Sequence, residues 1–121
     1  MSKIANKIGG ILNDMFPRLS APRITEEIYV YYKGQKLFFD FYIKELSVYV
    51  EVQGRQHTEF VKHFHGEKEA FQAQKMRDNL KIQYVEENSR CLVRFNFNEK
   101  ITKALVLKKI TKVLEGGYFY E

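Results

Sequence analysis

Two acidic residues, Asp40 and Glu51, lie in segments whose other residues are typical of buried β-strands. Apolar and polar residues alternate over 37–43 and 48–53, which is the period of half-buried strands. If residues 44–47 close a hairpin, Asp40 faces Glu51 across the two strands. Carboxylates so close repel each other, and a divalent cation held by carboxylate and carbonyl oxygens commonly relieves that repulsion.

A simpler interpretation is that Asp40 lies at a solvated strand edge and that a nearby lysine neutralises Glu51. The surrounding residues favour a cation site, because Asp40 stands among Phe and Tyr residues and Glu51 stands between two valines. Charged side chains are rarely kept in such surroundings without a partner or a function. We therefore interpret the two acids as the centre of a functional site.

The elements that would position these acids follow from periodicity and from helix and strand stop signals. The predicted order is a helix over 3–14, strands over 28–32, 37–43 and 48–53, a helix over 67–87, a strand over 91–97 and a helix over 99–114. The last five residues are either a short tail or an added edge strand. This order predicts one α/β domain over 1–121 with a mixed four-stranded sheet at its centre.

The long predicted helix over 67–87 carries two different faces. The side predicted to pack on the protein is formed by Ala73, Met76, Leu80 and Tyr84. A polar face that could instead point back at the sheet is formed by Gln74, Asp78 and Lys81.

Composition limits the classes of function. The chain of 121 residues has 20 Lys and Arg against 15 Asp and Glu, a net charge of +5, which suits a polyanionic partner. Its single cysteine, Cys91, excludes an internal disulfide and a cysteine-based zinc site, and indicates a reducing compartment. No apolar run is long enough to span a bilayer or to form a signal peptide, so we expect an intracellular protein without a membrane partner.

Asp40 followed by Glu51-Val52-Gln53, in this order of elements, resembles the PD-(D/E)XK nuclease superfamily. The segments DFYIKEL, EVQGRQH and QKMRDNLK are similar to small phage-type and homing-endonuclease-like members, which are related to very-short-patch repair endonucleases. The resemblance implies a restriction-endonuclease-like core and metal-dependent hydrolysis of DNA phosphodiester bonds. Such an enzyme would work in the host-cell cytoplasm if a phage encodes it.

The resemblance also implies a metal site for Mg²⁺ or Mn²⁺. Asp40 and Glu51 would bind the ion, with the backbone carbonyl of Val52 as a further ligand and Glu27 as the additional acid found in many members. The other reading of Glu27 is a solvated residue at a strand end.

This chain departs from the family pattern at two positions. Phe39 precedes Asp40 where a proline is usual, and Gln53 occupies the place of the usual lysine. A neutral amide can position the attacking water but cannot deprotonate it, so Lys81 or His57 is predicted to supply that role. Phosphate or DNA contacts are predicted for Arg55, Gln56, Lys62, His65, Lys68 and Arg77.

Three functions remain open from the sequence. The first is a metal-dependent DNA endonuclease, and the second is a structure-specific, Holliday-junction-type nuclease that acts as a dimer. The third is a DNA-binding module of the same fold that has lost catalysis. One domain with one metal site cuts one strand, so a double-strand break would require a homodimer or two visits, and the tail 118–120 is the candidate dimer contact.

Overall fold

Helices and strands follow the predicted order in a computed structural model that describes residues 1–17, 24–54 and 65–121, with side chains from residue 68 onward in the last range. The elements are α1 (Lys3–Met15), β1 (Ile24–Tyr32), β2 (Gln35–Ile43), β3 (Val48–Gln53), α2 (His65–Glu87), β4 (Cys91–Asn96), α3 (Lys103–Glu115) and β5 (Phe119–Tyr120). The α/β class is therefore confirmed. The first strand begins four residues earlier than its apolar pattern predicts.

The strands form one mixed sheet in the order β1-β2-β3-β4-β5. The first three strands are antiparallel neighbours, whereas β4 runs parallel to β3 and β5 runs parallel to β4. Between β2 and β3, Phe41 pairs with Val50 and Ile43 with Val48. That is the predicted hairpin register, and the regular pairing ends one position before the predicted Asp40–Glu51 pair.

The sheet has five strands rather than the predicted four, and the fifth is the added C-terminal edge strand that the sequence left open beside a short tail. Leu92 of β4 pairs with Phe119, and the Leu92 amide donates a hydrogen bond to the Tyr118 carbonyl at 2.8 Å. A strand of two residues has no alternation, so the sequence could not decide between a tail and an edge strand. Phe119 and Tyr120 are half-buried within their own chain, and only Tyr118 of the predicted dimer contact is exposed.

Apolar side chains pack in two layers, one on each face of the sheet. We call the first the α1–α3 core; its fully buried members include Ile8, Leu12, Phe41, Ile43, Val50, Val93, Phe95 and Val106. The second, the α2 core, is formed by Leu37, Phe39, Tyr49, Val85 and Leu92. The sheet thus lies between α1 and α3 on one side and α2 on the other.

The last helix begins at Lys103 rather than at Glu99, since side chains cap it locally. Thr102 is its N-cap, and the Thr102 hydroxyl accepts a hydrogen bond from the Leu105 amide at 3.1 Å. Glu99 instead accepts a hydrogen bond from the Asn96 amide at 2.8 Å and thereby closes the turn after β4.

The predicted apolar side of α2 is wrong at Met76, which is 47% exposed. The buried stripe of the helix contains Asp78, Lys81 and Val85. Met76 is two residues from Asp78, about 200° around an α-helix, so it must point away once Asp78 faces the sheet. The predicted polar face points at the sheet through Asp78 and Lys81, and Leu80 and Tyr84 of the predicted apolar side pack against the α2 core.

Among the described helices, none combines the length and the apolar composition needed to cross a bilayer.

Two adjacent glycines of α1 test the packing of this helix on the sheet. A Cβ atom at Gly9 would lie 3.0 Å from Cζ of the buried Phe41, whereas one at Gly10 would have no atom within 4 Å. Gly10→Ala should raise the free energy of unfolding by about 0.5–1 kcal/mol, because alanine loses less backbone entropy in a helix.

Gly9→Ala should lose this gain, because the Phe41 ring would have to move within a packed core. Urea unfolding of both variants measures the difference. Equal stabilisation by the two substitutions would contradict the described contact between α1 and β2.

Candidate active site

The side chains of β2 change from one face of the sheet to the other at the position of Asp40. Regular pairing stops at Glu26–Phe41 and resumes at Ile28–Phe39, and Glu27 between them has a φ of 52°, in the left-handed region. Residues an even number apart on a strand normally share a face. Phe41 nevertheless belongs to the α1–α3 core and Phe39 to the α2 core. Asp40 therefore lies where the outer face of the hairpin meets the face under α2.

Asp40 is half-buried, and its side chain accepts a backbone hydrogen bond where the regular β2–β3 pairing ends. Its Oδ2 accepts a hydrogen bond from the Val52 amide at 2.8 Å, one step beyond the regular β2–β3 pairs. Burial raises the pKa of Asp40, and the charges of Glu51 and Glu27 raise it further, against the lowering effects of the Val52 amide and Lys81. The carboxylate would be stabilised by an additional positive charge.

Glu51 is buried, with 4% of its surface exposed, between two cations. Lys81 Nζ lies 2.6 Å from Glu51 Oε1, and Arg94 Nε lies 2.5 Å from Glu51 Oε2. Burying a carboxylate is costly unless it is paired and hydrogen-bonded, and here each oxygen has its own partner. The simpler expectation that a lysine matches Glu51 is thus confirmed, while Asp40 lies in a cavity rather than at a fully solvated edge.

Arg94 is a residue of the site that the sequence analysis missed. It pairs directly with Glu51 across β3 and β4, and its Nη2 donates a hydrogen bond to the Asp78 carbonyl at 3.2 Å. Phe119 of β5 covers the guanidinium, with the ring centroid 4.8 Å from Cζ. The sequence pattern could have identified Arg94, since this residue interrupts the apolar run of β4 in the same way that Glu51 interrupts β3.

Gln53, which takes the place of the usual lysine, is 3% exposed and contacts α2. Its Nε2 donates a hydrogen bond to Asp78 Oδ2 at 3.3 Å. The amide therefore holds the helix to the sheet, and Gln53 does not line the cavity described next. Lys81, from the same helix, brings its ammonium group to Glu51 instead.

A cavity of about 210 Å³ opens beside the two acids. It is lined by Lys36, Phe38, Asp40, Glu51, Val52, Gln74, Arg77, Asp78 and Lys81. The structure thus brings together five predicted site residues, namely Asp40, Glu51, Val52, Arg77 and Lys81. Lys36 and Phe38, from the strand just before Asp40, were not predicted.

The other predicted site residues are placed differently. Arg55, Gln56, His57, Lys62 and the side chain of His65 lie outside the described residues. Glu27 is exposed and acts on Asp40 through its charge, and Lys68 is exposed and does not line the cavity.

The donor set suits a hard divalent cation. Mg²⁺ is usually held by one or two carboxylates, keeps several waters, and does not require a complete protein cage. In the part of the chain that the structure describes, no three His, Cys, Asp or Glu residues are grouped to hold a metal ion. Two carboxylates are enough for Mg²⁺, and a carboxylate has about four acceptor positions. Glu51 can therefore serve as a ligand if Lys81 shares or releases Oε1.

Comparisons with known proteins do not assign a family. No family model matches the chain. A segment of 74 residues, 61% of this chain, is 35% identical to "Uncharacterized protein 307L" of Invertebrate iridescent virus 6. That segment covers 38% of the viral protein, so the chain spans well under half the length of the curated relative it matches.

Asp40→Asn tests the electrostatics of the site without breaking its geometry. The asparagine oxygen can still accept the Val52 hydrogen bond, and the charge beside Glu51 is removed. Because the pKa of Asp40 is raised in the folded state, wild-type stability falls as pH rises from the unfolded-state pKa of an aspartate through the folded-state pKa. At pH 7 the variant should be at least as stable as the wild type, and the difference should shrink toward acid pH.

Urea unfolding between pH 4 and pH 7.5 measures this effect. The matched control is Asp14→Asn at an exposed acid of α1, which should shift stability by less than about 0.5 kcal/mol. An Asp40→Asn protein that is clearly less stable than the wild type at pH 7 would contradict the described environment of Asp40.

Proposed function

We propose that this protein is a divalent-metal-dependent endonuclease that hydrolyses DNA phosphodiester bonds, with the restriction-endonuclease-like core that its motifs resemble. The observation that carries the proposal is the convergence of Asp40, Glu51 and Lys81 on one cavity from three separate elements. Two acids and a cation in one cavity suit phosphate chemistry, where a metal ion and a positioned water are needed.

Asp40 and Glu51 would hold Mg²⁺ or Mn²⁺, with the Val52 carbonyl as a further ligand. A bound ion of this kind polarises the scissile phosphate and lowers the pKa of a bound water. Asp40 supplies the less neutralised of the two carboxylates, since its described polar partner is one backbone amide whereas Glu51 faces two cations.

Lys81 would take over the task of the usual lysine. Gln53 is tied to Asp78, while the Lys81 ammonium stands 2.6 Å from Glu51 and lines the same cavity. An ammonium group at that place can orient a water and stabilise charge that develops on phosphate. His57 remains the alternative.

DNA binding would use the positive charge beside the cavity. Lys36 and Arg77 line it, and the chain as a whole carries a net charge of +5. Phosphate contacts by Arg55, Gln56, Lys62, His65 and Lys68 belong to the same proposal.

A second candidate function is a DNA-binding module that has lost catalysis. The double pairing of Glu51 with Lys81 and Arg94 favours it, because two cations already neutralise the acid without a metal ion. The presence of Asp40 in the cavity, where burial and neighbouring charge raise its pKa, favours the nuclease.

Cleavage of supercoiled plasmid in EDTA, Mg²⁺ or Mn²⁺ separates these functions. The wild type should give nicked or linear product only with metal. Asp40→Asn should lower the rate at least about 100-fold, since loss of even an outer-shell partner can cost that much. Lys81→Met should lower it by about 10²-fold or more if the ammonium assists the water.

The matched control for Asp40→Asn is again Asp14→Asn at an exposed acid of α1. Circular dichroism checks that each variant is folded. Cutting that persists in EDTA or in Asp40→Asn would refute this site, and binding without any cutting would support the inactive module.

A further inference from the structure

We infer that the outer face of the β1–β2 hairpin is a stacking platform for unpaired nucleobases that leads one strand of nucleic acid into the cavity. The platform consists of Tyr29, Tyr31, Lys36 and Phe38. The inference deepens the proposed function, on which its relevance to cleavage rests, by naming single-stranded or locally unpaired DNA as the substrate.

Two tyrosines of β1 expose large aromatic surfaces. Tyr29 is 54% exposed and Tyr31 is 78% exposed. Tyr29 pairs with Phe38 across the hairpin, and their ring centroids are 5.1 Å apart. Tyr31 pairs with Lys36, whose Nζ lies 4.3 Å from the Tyr29 ring centroid. Aromatic rings and a cation therefore form one continuous surface.

These rings do not stabilise the hydrophobic core. The alternate residues of the hairpin face the α2 core, where Leu37 and Phe39 are fully buried and Ile28 packs against them. The opposite face of the hairpin thus carries rings that are not needed for core packing. Exposed rings interleaved with cations are the usual means of binding single strands, because bases stack on the rings while cations attract the phosphates.

The platform runs directly into the cavity. Lys36, Phe38 and Asp40 alternate along β2, and all three line the cavity. Successive residues on one face of a strand are about 7 Å apart, so Asp40 is one such step from Phe38. A strand stacked on Tyr29 and Phe38 would bring its neighbouring phosphate toward the two acids.

The aromatic surface favours unpaired bases over a duplex. Bases inside a duplex stack on each other, so a duplex presents only base edges and backbone phosphates. Charged and polar side chains can bind these groups without any aromatic ring. Rings on a sheet surface need the free face of a base. A competing occupant is a second copy of the chain, since β1 is an edge strand of the described sheet and edge strands can pair between molecules.

A tryptophan reporter tests the platform in EDTA, where no metal-dependent cutting occurs. The chain contains no tryptophan, so Tyr31→Trp gives a single signal at the platform and Tyr118→Trp gives a matched one at an exposed tyrosine beside β5. Added oligothymidine should quench Tyr31→Trp and leave Tyr118→Trp unchanged. A blunt duplex of equal length should quench Tyr31→Trp much less.

Affinity measurements by fluorescence anisotropy complete the test. The double variant Tyr29→Ala/Tyr31→Ala should bind labelled oligothymidine about tenfold or more weakly, whereas Tyr29→Phe/Tyr31→Phe should stay within about twofold of the wild type. Equal affinity for oligouridine would support base stacking and show that the sugar is not read.

Three results would overturn the inference. They are equal quenching by duplex and single strand, no loss of affinity in the double alanine variant, and self-association in sedimentation that the same variant abolishes. Failure of the proposed function looks different, since single-strand binding would persist through the tyrosines while Mg²⁺ and Mn²⁺ give no cutting. Metal-dependent cutting together with any of these three results would remove the platform and leave the nuclease.

Discussion

The buried carboxylate of Glu51 is the interaction on which the site depends, since it joins three elements through charge. Lys81 reaches it from α2 and Arg94 from β4, at 2.6 Å and 2.5 Å. An unpaired charge at 4% exposure would cost several kcal/mol, and removal of one partner from a buried pair typically costs about 3–5 kcal/mol. Apolar residues of similar volume could fill such a place at no loss of stability. A buried triad of this kind therefore favours a functional role over a purely structural one.

The two acids have unequal surroundings, and the proposed metal site depends on this difference. Glu51 is neutralised from both sides, whereas Asp40 accepts one backbone hydrogen bond and has a raised pKa. An added cation would therefore be stabilised more by the Asp40 carboxylate than by the Glu51 carboxylate. Asp40 reaches the cavity although its neighbours in β2 are apolar. The reason is that the apolar side chains of β2 change from one core to the other at Asp40. The same change leaves Tyr29 and Tyr31 on a face that no described helix covers.

Much of this arrangement could be predicted from alternation alone. The period of two over β2 and β3 gave the register that sets Asp40 beside Glu51, and the spacing of Asp78 and Lys81 gave the face of α2 that meets the sheet. Other features depend on tertiary contacts that no local pattern carries. The fifth strand has only two residues, too few for an alternation pattern. The exposure of Met76 follows from the buried polar stripe on the opposite side of the helix. The left-handed φ of Glu27 occurs at a residue that is not glycine, so the sequence does not indicate it.

A titration with Mn²⁺ in the absence of DNA tests the central claim most directly. Binding is measured as the loss of the electron paramagnetic resonance signal of the free ion. The claim is that Asp40 and Glu51 form a divalent-cation site in which the Lys81 ammonium competes for Glu51. We predict one ion per chain in the wild type, affinity at least about tenfold weaker in Asp40→Asn, and tighter binding in Lys81→Met because the competing charge is gone. Binding that does not depend on Asp40, or no binding in either the wild type or Lys81→Met, would contradict this account.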